Sequence, residues 1–545
     1  MTIIRPGSRR MLATIAVAMA MTLQGCSESQ PVDRPMDRPA DQQIASAADR
    51  QALFDYLLRK TLEREAFSPE KNRALGLNVE AAMRAMEPDV VNAATEEDLF
   101  YALTRLSNAR RDRHLSVWEI ADGLTAPQYY PGEDAPPAPV AGVRIELDYA
   151  RRDGIVMFVA DLATNAALTG GLLPGDLVVS INGVSPAERL EQWRPYMRYS
   201  TELGFRKKTS QVLASRTGLL PPEYYRETLD LEVVTISGNT RSVSLPYVER
   251  DSIEWQGDGV NPFPGFSLEA SRPTFDLYLP DGDSTVIVLD WHRFHAKLVE
   301  DMDWLMEFAA ANELLDHDIV FNATRSGGGS LGAYAIQRLS PKPFKTTFGN
   351  LRISDVIPEF ISTRVAAFEA RQDPLDKGGK ETIDDGSWLI DWLSTDVQAA
   401  YDNGEEYTNN VPFKLAHAPK DSDGVIQPAD VHFRGNMVCI FGPNGGSHLD
   451  QFYAIVTDNA LCPTIGMETG GYSNTWEWYE EVVFPTTGKP AIGFMWNIGH
   501  TISPNGRIVE GDPLPIGEPI PLTHENFSKY DSILLERALE ILQAD

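Results

Sequence analysis

The chain has 545 residues, 78 acidic against 48 basic, and a formal net charge of −30. With 43% hydrophobic and 23% charged residues, 41 Gly and 37 Pro, its composition excludes wholesale disorder, a collagen-like repeat and a multi-span membrane protein. Its negative field repels phosphate backbones and argues against nucleic acid as a partner, while its length predicts about three or four folding units.

Arg5, Arg9 and Arg10 precede an apolar run from Met11 to Leu23. As a helix this run rises only about 20 Å, short of the ~30 Å of a bilayer's hydrocarbon, so it reads as a secretory signal and not a span. It ends in Leu23-Gln24-Gly25-Cys26, which resembles the bacterial lipoprotein cleavage box. The resemblance implies removal of residues 1–25 and acylation of Cys26, which would make the lipid bilayer a partner. Ser27 after the cysteine implies a cell-envelope address, anchored in the outer membrane and facing the periplasm. Residues 26–48, polar and Pro-rich, read as a flexible tether.

Residues 49–125 predict a helical bundle. Leu53, Leu57, Leu58 and Leu62 share one helical face, and Leu99, Leu103 and Leu106 share another behind the capping signal Thr95-x-x-Asp98. A Pro-rich break at 126–139 leads to a β-rich unit over 138–248. There a strand at 155–159 precedes a turn at Pro174-Gly175-Asp176, a β-rich run and an Asn182-Gly183 hairpin signal. The order of these parts resembles the PDZ domains attached to bacterial proteases. Helical sequence over 186–219 stands as an insertion, and strands near 231–234 and 242–248 complete the unit. From 249 to 545 the texture is α/β, with apolar strands at 285–289, 318–321, 437–441 and 464–467, intervening helices and a C-terminal helix. A region over about 340–430, rich in Asp, Gly, Trp and Pro, interrupts that rhythm as an insertion and a candidate lid.

Two small-residue loops each follow an apolar strand: Asn322-Ala323-Thr324-Arg325-Ser326-Gly327-Gly328-Gly329-Ser330, and Gly442-Pro443-Asn444-Gly445-Gly446-Ser447-His448-Leu449-Asp450. The second runs into helical sequence. A serine at a strand–glycine–helix junction exposes its hydroxyl among backbone N–H groups, at the positive end of a helix. Neither loop matches a phosphate-binding pattern. Cys439 and Cys462 are the cysteines left after Cys26; they either pair, closing a loop for about 3 kcal/mol, or stay as buried thiols.

Helical bundle, PDZ-like unit, strand with triple glycine and strand–GGS–helix together resemble the C-terminal processing (tail-specific) peptidases and their tricorn-core relatives, over about residues 49–545. The resemblance implies a multidomain α+β protein with a crotonase/ClpP-like α/β peptidase core, and Ser447 as nucleophile. Ile465-Gly466-Met467-Glu468-Thr469-Gly470-Gly471 falls on a strand motif of the family. The family's serine–lysine branch carries its lysine 25 residues after the nucleophile, where this chain has Tyr472. With a reference pKa of about 10, a tyrosine does not replace a lysine base at neutral pH. The tricorn-like branch instead takes a histidine from an Asp-x-His motif, here Asp112-Arg113-His114, and a glutamate from a segment matched by Val509-Glu510-Gly511-Asp512-Pro513, with Glu518 a rival.

The resemblance implies hydrolysis of protein or peptide substrates through an acyl-enzyme on Ser447. His114 is the base, Glu510 its orienting acid, and the backbone N–H groups of Gly328 and His448 hold the oxyanion. His500 is the alternative base, and the side chain of His448 is expected to diverge from Ser447. The family's Asp-Leu-Arg-x-Asn stands here as Asn322-Ala323-Thr324-Arg325-Ser326. That departure keeps open a rival reading, a peptide-binding envelope lipoprotein on the same scaffold with little or no turnover. His292 and His295 lack an evident third ligand and read as core or surface residues, so no metal or other cofactor is expected.

Overall fold

The computed structural model describes residues 45–544, apart from 133–134, 152–153, 371–386, 413–417, 419 and 474–475. The signal sequence, Cys26 and most of the tether lie outside the described residues. Among the described residues no helix is long and apolar enough to cross a membrane.

Helices α1 (Ala47–Arg64), α2 (Pro69–Ala74) and α3 (Glu96–Asn108) open the fold. Ser46 and Thr95 each close a capping box with an aspartate three residues on, which satisfies N–H groups that would otherwise be orphaned. Leu53, Leu57 and Leu58 of α1 and Leu99, Leu103 and Leu106 of α3 are buried in one cluster. Just past α3, Arg110 is buried; it donates to Glu65 at 2.9 Å and to the Met495 carbonyl at 2.8 Å. Val117–Trp118 then pairs antiparallel with Phe494 and Gly493, so the chain after α3 is stitched to a strand near the other end of the sequence.

The next unit is a six-stranded sheet. Its strands are β1 (Val140–Ala141), β2 (Val143–Leu147), β3 (Met157–Leu162), β4 (Leu177–Ile181), β5 (Thr228–Val234) and β6 (Thr240–Val248), in the order β1-β6-β5-β4-β3-β2. Asn182 and Gly183 form the expected tight turn, both with positive φ, but the chain leaves it into a helix and not a paired strand. The helical stretch divides into α4 (Pro186–Trp193) and α5 (Glu202–Val212). Leu229, Leu231 and Leu245 of this sheet belong to the same apolar cluster as α1 and α3, so the N-terminal helices and the sheet share one core.

The third unit is a seven-stranded sheet built from β7 (Phe266–Ser271), β8 (Phe275–Pro280), β9 (Val286–Trp291), β10 (Asp318–Asn322), β11 (Met437–Phe441), β12 (Thr464–Gly466) and, past the hairpin β13 (Glu477–Val483)–β14 (Pro490–Asn497), β15 (Glu518–Pro519). The order is β15-β12-β11-β10-β9-β8-β7; the strands from β9 to β15 run parallel, and β8 and β7 extend the sheet antiparallel. Helices α6 (Leu298–Ala311), α7 (Gly332–Leu339) and α8 (His448–Asp458) cover one face, where Ile319, Phe321, Cys439 and Phe441 point. The C-terminal helix α9 (Tyr530–Ala544) covers the other, where Val320, Val438 and Ile440 point. Burial on both faces is why these strands read as unbroken apolar runs.

The 340–430 region contributes to the packing of the fold. Phe348–Leu351 pairs with Gly499–Ile502, and Trp392 stacks on Trp476 with ring centroids 6.1 Å apart. The sulfurs of Cys439 and Cys462 lie 2.8 Å apart as free thiols.

Truncating one partner of a buried ion pair strands the other's charge, at a cost of about 3–5 kcal/mol. Arg110→Ala is therefore expected to destabilise the protein by about that much in urea unfolding followed by tryptophan fluorescence. A change below about 1 kcal/mol would mean that Glu65 is accommodated without the guanidinium.

Candidate active site

The parallel strands all end at one rim of the sheet, and the loops leaving β10 and β11 meet there. After β11 the chain passes through Gly442-Pro443-Asn444-Gly445-Gly446 to Ser447, the residue preceding α8. Ser447 takes φ 62° and ψ −122°, a conformation costing a residue with a Cβ on the order of 1–3 kcal/mol. The surroundings hold it there. The Ser447 N–H donates to the Tyr472 carbonyl at 2.5 Å. Asp450, three residues into the same turn, accepts the N–H groups of Gly471 at 3.1 Å and Tyr472 at 2.8 Å. Burial pushes the Asp450 carboxyl up to about 7, although these hydrogen bonds act in the opposite sense.

The glycines of the two loops are required by contact distances. A Cβ on Gly328 would fall 2.7 Å from Ser447 Cβ and 3.2 Å from its Oγ. On Gly445 it would fall 1.8 Å from the Ser326 carbonyl oxygen, and on Gly446 2.3 Å from the Tyr472 ring. The backbone of Gly328 therefore lies against the Ser447 side chain, and its N–H is engaged by none of the described residues. His448 is the first residue of α8, so its N–H sits at the positive end of that helix.

The imidazole of His448 turns away from the serine. Its Nε2 accepts the Gly332 N–H at 2.6 Å and its ring meets Phe294 edge-on. Burial holds it neutral, with its pKa pushed down to about 3. His500, the alternative base, is also occupied: Nδ1 lies 3.1 Å from Asn350 Oδ1, Nε2 lies 3.1 Å from the Phe67 carbonyl, and the ring stacks on Tyr407. Glu518 lies on edge strand β15 and pairs with Arg537 at 2.8 Å, so its carboxylate is committed elsewhere.

His114 approaches through Tyr472. The two rings meet edge-on with centroids 5.2 Å apart, while Gly446, beside Ser447, packs on the same tyrosine ring. Asp112 accepts the backbone N–H of His114 at 2.9 Å. One donor atom from each of Asp112, His114 and Glu510 lies within 4.8 Å of the others, and His114 Nδ1 is buried without a hydrogen-bond partner among the described residues. Glu510 Oε2 accepts the Ser473 N–H at 2.7 Å, and Lys71 Nζ lies 3.6 Å from Glu510 Oε1 and 3.9 Å from Asp112 Oδ2. Burial pushes Glu510 up to about 8; the negative charge of Asp112 adds to the shift and Lys71 opposes it. Burial and Asp112 thus favour the protonated form of Glu510, against the pull of Lys71.

The structure therefore gathers Ser447 with Gly328, and His114 with Asp112 and Glu510, and Tyr472 adjoins both groups. Sequence reasoning misses Lys71 and the Asp450 clasp as parts of the site. Lys71 sits in an ordinary charged helical segment that carries no signal, whereas the acidic residue three positions after Ser447 is a visible one.

Mature CPAF complexed with lactacystin superposes with a TM-score of 0.68 at 14% identity, over 92% of this chain and 99% of that chain. Mature CPAF alone gives 0.67 at 13% identity, over 92% and 98%. The photosystem II D1 C-terminal processing protease gives 0.41 at 11% identity, over 90% and 98%. Neither a protein-family model nor a curated protein sequence matches the chain. The protein has a mixed α+β, multi-sheet fold similar to that of CPAF over most of both chains.

Because the fold raises the Glu510 pKa from an ordinary 4.5 to about 8, the folded state holds this proton more tightly than the unfolded chain. Its contribution to stability is complete below about pH 4.5 and is lost as pH rises through about 8. In thermal melts across that range, Glu510→Gln is expected to lose this part of the pH dependence and to retain more of its acid-side stability at pH 8 than the unsubstituted chain. Parallel melting curves for both proteins would contradict the raised pKa.

Proposed function

We propose that this protein is a serine endopeptidase of the tail-specific, tricorn-core-like type, acting on protein or peptide chains. The observation carrying the reading is the strained Ser447 turn, seated against Gly328 at the start of α8. The similarity of fold to mature CPAF, which forms a complex with lactacystin, supports it.

In the proposed reaction His114 withdraws the Ser447 hydroxyl proton as Oγ attacks the peptide carbonyl. The carbonyl oxygen becomes an oxyanion held by the N–H groups of Gly328 and His448; losing one such donor typically costs roughly 3 kcal/mol. The imidazolium then gives its proton to the departing amine. Water, deprotonated by the same histidine, attacks the acyl-enzyme carbonyl; the acyl–Oγ bond breaks, the imidazolium returns its proton to Ser447 Oγ and the carboxylic acid product leaves. Asp112 and Glu510 orient the imidazole, with Lys71 balancing the charge between them. The six-stranded sheet acts as the PDZ-like unit, taking up an extended substrate segment or C-terminus along an edge. Met11–Leu23 and Cys26 support export and lipid anchoring in the cell envelope, facing the periplasm.

A fluorophosphonate probe is expected to label the protein at Ser447, and Ser447→Ala to abolish labelling. His114→Ala should slow acylation by about 10²–10⁴-fold. Gly328→Ala, which pushes a methyl group against the serine, should slow it by at least about 10²-fold. Absence of labelling in well-folded protein would overturn the reading in favour of a peptide-binding lipoprotein without turnover.

A further inference from the structure

A second cluster of ligand-type side chains lies on the same rim, behind the glycine loop. Asp276 of β8 and Asp290 of β9 are direct partners across the antiparallel ladder. Like charges in that position destabilise a sheet unless something offsets them. Asn322 of β10 is the next residue in the row and donates to Asp290 Oδ1 at 2.7 Å. His292, two residues after Asp290, brings Nε2 to 3.2 Å from Asp276 Oδ2. One donor atom from each of Asp276, Asp290 and His292 lies within 4.8 Å of the other two. Asp276 Oδ1 is buried without a hydrogen-bond partner among the described residues, and Asp290 as a residue is 9% exposed. The His292 side chain, at 38% exposure, leaves the group open to solvent. Arg325 is the nearby cation, and its guanidinium donates to Asp531.

Two carboxylates and an imidazole converging from adjacent strands make a mixed oxygen–nitrogen donor set, suited to zinc(II) or manganese(II). The geometry points to a divalent-metal site formed by Asp276, Asp290 and His292, in contrast to the reading of His292 as an isolated core or surface residue. Its position gives it a task. The His292 carbonyl accepts the Gly327 N–H at 2.8 Å, the Phe294 N–H donates to the Gly328 carbonyl at 3.2 Å, and Phe294 bridges Gly329 in parallel register. A cation fixing His292 stiffens segment 292–294, and through it the loop against which Ser447 packs. The link to Ser447 rests on the proposed peptidase reading, whereas the metal site does not.

The test is titration of the full chain, stripped with a chelator and dialysed, with zinc chloride in a calorimeter, followed by amide hydrogen exchange. One equivalent of zinc is expected to bind, and exchange in the 292–294 and 327–330 segments to slow on binding. His292→Ala and Asp276→Asn, both at the open side of the cluster, should lose the binding heat. His114→Ala should keep it, because Asp112, His114 and Glu510 form the other group of metal-type ligands among the described residues. No heat with either zinc or manganese chloride would overturn the proposal and leave the contact of His292 Nε2 with Asp276 as a side-chain pair without a metal. Binding retained in His292→Ala, or lost in His114→Ala, would overturn it by placing the metal elsewhere. Zinc binding without slowed exchange would overturn the stiffening of the glycine loop. None of these readouts requires turnover, so a failure of the peptidase reading registers separately, in the fluorophosphonate experiment.

Discussion

The candidate site depends on one clasp. The buried Asp450 carboxyl holds the N–H groups of Gly471 and Tyr472, and the Tyr472 carbonyl in turn receives the N–H of Ser447. This short circuit ties the start of α8 to the segment after β12 and keeps Ser447 in a backbone conformation it would otherwise leave. Asp450 sits where burial disfavours its charge, and backbone donors offset part of that cost. The glycines serve the same end. Gly328, Gly445 and Gly446 are places where two loops and an aromatic ring come too close for a methyl group, so glycine here records tight packing and not slack.

The second support is electrostatic and comes from the N-terminal helices. Lys71 reaches both Asp112 and Glu510, and Arg110 reaches Glu65, all three ion pairs being buried in a protein whose overall charge is strongly negative. Each cation serves particular carboxyl groups, and neither is spread over a surface field. Asp112 and Glu510 face each other beside His114, and their mutual repulsion helps burial to keep a proton on Glu510. The segment that carries Asp112 and His114 is fastened just beyond them, where Val117–Trp118 is laced to β14.

Much of the core is legible in the sequence because its strands are covered on both faces. Val286–Trp291, Asp318–Asn322 and Met437–Phe441 are largely apolar runs, and their alternation with helices implies a parallel sheet. β7 escapes notice because it is an edge strand of mixed exposure, and β8 because its apolar run is short. The Asn182-Gly183 turn and a strand near 231–234 are both legible, but their pairing is not: a turn fixes local backbone, and the partner strand is chosen by tertiary packing. Ser447 stands out from its strand–glycine–helix setting. The pairing of His114 with Glu510 is implied only by the family resemblance and the approach of Lys71 by nothing, since no local periodicity encodes which distant segments meet. Asp276, Asp290 and His292 are hidden for the same reason, two of them coming from facing strands and the third from beyond a strand end.

The lacing of Val117–Trp118 to Phe494 and Gly493 has a consequence for biogenesis. A nascent polypeptide already carries the imidazole after its first quarter and the serine hydroxyl well before its end. The strand that anchors the former, Pro490–Asn497, is among the last to emerge from the ribosome. Incomplete chains therefore lack the strand that fastens the segment after His114, and the candidate site is assembled only when synthesis is nearly finished.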